Sequence, residues 1–166
     1  MTPTALLKDA FARIVEGGVD VVDGLSDDQL VERVAPDANT IAWLVWHLAR
    51  VQDDHVADVA GVDQVWTSQG FADRFALPFD AAETGYGHTS EQVAQVRASA
   101  NLLADYLRAT HEQTMTYLDS LGPDDYDRVV DSSGDPPVTL AVRLVSVVND
   151  DTQHLGQAAY VRGLIG

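Results

Sequence analysis

Residues 147 to 163, VVNDDTQHLGQAAYVRG, interrupt an apolar helical face with charge: Leu144, Val145, Val147 and Val148 run directly into Asp150, Asp151 and His154. Asp150 and His154 are four residues apart. In an α-helix that spacing is about 40° of rotation and about 6 Å of rise, so carboxylate and imidazole leave one face on successive turns. Such a pair either makes an ordinary hydrogen bond at a helix surface or shares a metal ion. Helical bundles that bind metals use this spacing or the related i, i+3 one. A shared ion needs a third ligand from another helix. His47 is the best candidate, because it sits in the apolar run WLVWHL, where a free imidazole would need a partner. Two His and one carboxylate form the ligand set of a catalytic zinc site with one open position. A related facial arrangement suits non-haem iron.

Four long helices are expected to position these groups. The first spans about residues 3 to 22, with Leu6, Leu7, Ala10, Phe11, Ile14 and Val21 at helical spacing, weakened near its end by Gly17 and Gly18. SDDQLVERV reads as one or two turns capped by Ser26. The second helix begins after PDANT, capped by Asn39 or Thr40, and runs to Gly61. Residues 62 to 88 form a long aromatic loop, which in a small domain usually serves function. A third helix is expected from about 90 to 121, capped by Thr89 or Ser90, and a fourth from about 138 to 164, after Pro136 and Pro137. The only strand signal is RVV at 128 to 130. The expectation is all-α: a four-helix bundle, residues 1–166 as one domain, with a long loop between helices two and three.

Composition narrows the partners. The chain has 166 residues, 46% of them hydrophobic, enough for one core. Ten Lys and Arg against 26 Asp and Glu give a net charge of −16, which disfavours nucleic acid and anionic lipid. There is no cysteine, so disulfides and a protein thiol nucleophile are excluded, and any thiol chemistry uses a thiol from outside. The N-terminus lacks a signal-peptide core and no stretch approaches a membrane span, so a soluble cytoplasmic protein, monomer or homodimer, is expected.

TIAWLVWHLARVQDDHVADVAG, QVWTSQGFADRFALPFDAAETGYGHTSEQV and LVSVVNDDTQHLGQAAYVRGL together resemble the DinB/YfiT-like superfamily, and within it the mycothiol S-transferase branch. The resemblance covers about residues 5 to 165 and implies a DinB-like bundle. The superfamily signature is a His on helix two and an H-x-x-x-H-x-G-Q-like run on the last helix. His47 matches the first, and His154 with Gly156 and Gln157 the second. Asp150 stands where His is commoner; an acidic residue there is similar to the mycothiol-dependent maleylpyruvate isomerases and favours the thiol branch. Asp151, three residues before His154, is the runner-up ligand. The implied function is a metal-dependent, detoxifying thiol transferase. His47, Asp150 and His154 would hold Zn2+, which deprotonates mycothiol for attack on a small electrophile. The alternatives are a mycothiol-dependent isomerase, a metal-assisted hydrolase, or a non-enzymatic metal- or ligand-binding bundle.

Four further residues are candidates for substrate binding. Arg50 and Arg162 could each grip a carboxylate in bidentate fashion, or simply pair with the abundant acids. Trp66, with Phe71 and Phe75, could roof the pocket, and Gln157 could orient ligands or water. His55 and His88 could face the cleft, but a structural or solvated role competes at both.

Overall fold

Four segments with apolar residues at helical spacing bury those faces against one another in the computed structural model, which describes residues 2–165; Met1 and Gly166, the ends of the expected 1–166 domain, lie outside the described residues. The long helices are α1 (Pro3–Val22), α3 (Ile41–Ala60), α7 (Ala100–Ser120) and α8 (Leu140–Leu164). Each starts at a hydroxyl cap. Thr2, Thr40, Ser99 and Thr139 accept from the backbone N–H three residues on, a contact worth about 1 kcal/mol apiece. Short helices fill the connections: α2 (Asp27–Leu30), capped by Ser26, then α4 (Val65–Ser68), α5 (Phe71–Phe75) and α6 (Ser90–Gln95). The fold is all-α, a DinB-like helical bundle apart from one small hairpin.

The long helices pack in a ring, α3 on α8, α8 on α1, α1 on α7 and α7 on α3. Phe11 and Ile14 of α1, Leu44 and Leu48 of α3, Leu103 and Leu107 of α7, and Leu140 and Leu144 of α8 fill the centre. Each fully buried side chain of this kind contributes about 1.5–3 kcal/mol. Gly17 and Gly18 do not end α1. They seat its neighbours: a Cβ on Gly18 would stand 2.4 Å from Leu107 of α7, and one on Gly17 2.9 Å from Leu155 of α8.

Two expectations need correction. The third helix is not continuous from 90 to 121. Val96 leaves the helical path with extended φ −77° and ψ 100°, is fully buried, and Ser99 caps a new start. Val93, Val96, Ala100 and Leu103 keep helical spacing across the break, so periodicity alone does not reveal it. The 62 to 88 segment is not all loop, since it carries α4 and α5. The RVV signal becomes β1 (Val129–Asp131), antiparallel to β2 (Val138–Thr139), and this hairpin leads straight into α8.

α3 is buried nearly all round, as its apolar sequence requires. α7 and α8 cover two sides. The 64 to 88 segment covers a third, anchored by Arg50, which is fully buried. Its guanidinium donates to Gln64 Oε1 at 2.8 Å, to the carbonyls of Ala81 and Glu83, and to Tyr106 Oη. Asp53, 3.8 Å from Arg50, accepts from the N–H groups of Val65 and Trp66 and from Tyr106 Oη.

Candidate metal centre

His47 comes from the middle of α3 and is 5% exposed. Its ring stacks on Trp43 of the preceding turn at 4.5 Å between centroids. Nδ1 donates to the carbonyl of Thr84 at 2.5 Å, which fixes the tautomer and leaves Nε2 with its lone pair. Burial lowers the pKa of this imidazole from its ordinary value, so the neutral, ligating form is favoured. The Thr84 carbonyl comes so close because Gly85 follows it, at φ +96°; a Cβ there would stand 2.8 Å from His47 Nδ1 and 2.9 Å from Trp46.

Asp150 and His154 come from α8, on the turn facing α3. His154 Nδ1 donates to the carbonyl of Asp150 at 2.9 Å, again leaving Nε2 free. The rings of His154 and His47 lie 4.6 Å apart, nearly perpendicular. Asp150 Oδ2 is 3.2 Å from His154 Nδ1, yet that nitrogen's proton is spent on the carbonyl, and the buried oxygen has no hydrogen-bond partner. One donor atom each from His47, Asp150 and His154 fall within 4.8 Å of one another. Two imidazoles with their Nδ1 atoms tied to carbonyls, plus an unpartnered carboxylate oxygen, fit a first-row divalent cation.

Asp151, the alternative ligand, is fully buried on another face of α8 and stands outside this group. Both of its oxygens lack hydrogen-bond partners. Burial above all, then the charge of Asp150, raises its pKa well above the carboxylate range.

A cavity of about 550 Å³ opens beside His47 and Asp150. Val51, Val142 and Val147 form apolar wall, Tyr86 stands 93% exposed at the mouth, and Asp54, His55 and Arg143 lie along its polar part. Of the four substrate-binding candidates, none lines this cavity. Arg50 is enclosed under the 64 to 88 segment. Trp66 is 3% exposed, packs on Trp46, Phe75 and Tyr106, and borders a different cavity of about 360 Å³. Arg162 donates to the carbonyls of Asp20 and Asp23 and so closes the C-terminal end of α1. Gln157 is exposed on the turn after His154. His88 is also spent: Trp43 Nε1 donates to its Nδ1 at 3.1 Å, and its Nε2 reaches Glu83 at 3.0 Å.

The residue missed from sequence is Arg143. The signal was present: 143, 147, 150 and 154 continue one face of α8 at spacings of four, three and four. The Thr84 carbonyl carries no such signal, because a backbone group has no residue type to read.

The chain matches the sequence model of the family described as mycothiol-S-transferase over residues 5–166. Among solved structures it is similar to a conserved protein from Enterococcus faecalis, at 35% identity and a TM-score of 0.92, covering 99% of this chain and 98% of that one. No curated protein matches it. Among the described residues no helix is long and apolar enough to cross a membrane.

Proposed function

The chain belongs to the mycothiol-S-transferase family, and on that premise we propose that it is a cytoplasmic, metal-dependent thiol transferase joining mycothiol to a small electrophile. The observation that carries this reading is the convergence of three donors, from α3 and α8, two of which, His47 and Asp150, line an open cavity. Zinc is the metal their chemistry suits best, and when bound it would supply the positive charge that keeps a thiol deprotonated at neutral pH.

The chain's own residues do the rest. His47 and His154 direct Nε2 toward the site because their Nδ1–H groups are committed to the carbonyls of Thr84 and Asp150. Asp150 is the one carboxylate among the three donors, so a divalent cation held there would leave the site net positive toward an anionic sulfur. The absence of cysteine means that no protein thiol competes for the same position. Val51, Val142 and Val147 keep the adjoining space apolar, which favours an uncharged electrophilic carbon over bulk water as the partner of the sulfur.

The test is conjugation of mycothiol to chlorodinitrobenzene or monochlorobimane by metal-loaded protein, with and without chelator. The expected result is turnover that needs both metal and mycothiol, and its loss in His47→Ala. Hydrolysis without thiol would move the reading to a metal-assisted hydrolase. Rearrangement of a substrate with mycothiol unconsumed would make it an isomerase. Metal retained with no turnover would leave a binding bundle.

A further inference from the structure

Seven residues before Asp150 on the same helix, Arg143 marks a second polar group in the cavity, roughly 10 Å along α8 from the metal donors. Arg143 Nη1 donates to His55 Nδ1 at 3.0 Å and Nη2 to Asp131 Oδ2 at 3.3 Å. The first bond orders His55: with Nδ1 accepting, the ring proton sits on Nε2, which is then a donor. Asp54 lines the same cavity, and its Oδ1 already accepts from Gln64 Nε2 at 2.7 Å, leaving the second oxygen as an acceptor. Ser146 lies between the two polar groups and is exposed.

The charges decide what this place can hold. The single guanidinium is matched by Asp131 and shares the cavity with a second carboxylate, Asp54. One guanidinium against two carboxylates leaves the group net negative, so on balance it repels an anion. It offers instead donors from Arg143 and His55, an acceptor from Asp54, and a second acceptor from Ser146, whose hydroxyl proton is given to the Val142 carbonyl at 2.8 Å, against the Val138 side of the cavity. A neutral ligand rich in hydroxyls, each of which donates and accepts, answers that arrangement.

We propose that the Arg143–His55–Asp54 group recognises the hydroxyl-rich part of the thiol co-substrate, with Arg143 and Asp54 as positioning residues that set thiol specificity. This rests on the reading of the chain as a mycothiol transferase, mycothiol being a cysteinyl thiol borne on hydroxylated rings. The sulfur would then lie at His47, Asp150 and His154, and the rings at Arg143.

The experiment separates the two readings by using a ligand that cannot react. S-methyl mycothiol is titrated calorimetrically into the wild-type protein, Arg143→Met and Ser146→Phe, with N-acetyl-S-methylcysteine as the ring-free control. Ser146→Phe fills the cavity without touching the Arg143–Asp131 pair, so it guards against misfolding of the hairpin. The expected result is binding of S-methyl mycothiol weakened about tenfold or more in both variants, with the control unaffected and metal content preserved. In turnover the KM for mycothiol rises by a similar factor while kcat holds. If the wild type turns over mycothiol with metal but does not bind S-methyl mycothiol, this proposal is overturned and the thiol reading stands; if it neither turns over nor binds, both fall. If all three proteins bind it equally, this proposal alone is overturned. A rise in KM for a carboxylated electrophile, with mycothiol KM unmoved, also overturns it, in favour of an anion site.

Discussion

Two adjacent carboxylates on α8 meet opposite fates, and the difference is testable. Asp150 shares a face with His154 and borders the cavity, whereas Asp151 points into the bundle with both oxygens unpartnered. Asp150→Asn is expected to lose bound metal, measured by elemental analysis after dialysis, and Asp151→Asn to keep it. Retention by Asp150→Asn with loss in Asp151→Asn would mean that the ligand face of α8 is off by one residue. Removing the buried unpartnered carboxyl altogether, in Asp151→Leu, is also expected to raise the thermal midpoint, since an unsatisfied buried polar group costs about 1–3 kcal/mol. Arg50 makes the opposite case. Its guanidinium makes four hydrogen bonds inside the protein, and Arg50→Met leaves Asp53 without its cation. The expected cost is about 3–5 kcal/mol in urea unfolding. Substrate KM should not move at temperatures where the variant remains folded; a selective KM effect would restore Arg50 to the binding site.

At the scale of elements, the site depends on a helix pair and on the segment strapped over it. Arg50 holds the carbonyls of Ala81 and Glu83, and the next residue, Thr84, supplies the carbonyl that fixes His47. Gly85 makes that approach sterically open. Gly85→Ala would set a Cβ 2.8 Å from His47 Nδ1 in a backbone conformation that L side chains avoid. Metal affinity is expected to fall about 10- to 100-fold, as when the outer partner of a ligating His is lost. Competition with a fluorescent zinc chelator reads this directly, and unchanged affinity would show that Thr84 does not matter. The same distinction explains what could be read from sequence. Asp150, His154 and His47 are legible because residue type and helical period coincide there, and the capping residues at 26, 40 and 89 are legible for the same reason. The break at Val96 is not, because its buried valine preserves the period while the backbone departs from it. Nor is the burial of Arg50, two of whose four acceptors are backbone carbonyls brought in from about 30 residues away.

For the whole molecule, the donors join two neighbours in the ring of helices, α3 and α8, which pack along each other more extensively than any other pair. A bound ion would therefore act as an added cross-link between the second and the last long segment of the chain, and its binding energy would appear as folding stability. At a free metal concentration of 100 times Kd, linkage gives about 2.7 kcal/mol. For a chain of this size that is roughly 5–10 °C in Tm. Chelation of the wild type is expected to lower Tm by that amount, and chelation of His47→Ala to leave it unchanged. The opposite seam supplies the control. Gly18→Ala places a Cβ 2.4 Å from Leu107 where α1 meets α7, with no donor nearby. Overpacking there costs about 1–3 kcal/mol, so its Tm should drop in both metal-loaded and chelated protein while the chelator-dependent difference stays whole. Should that difference shrink in Gly18→Ala as it does in His47→Ala, metal binding would be reporting general loosening of the bundle rather than a site built between α3 and α8.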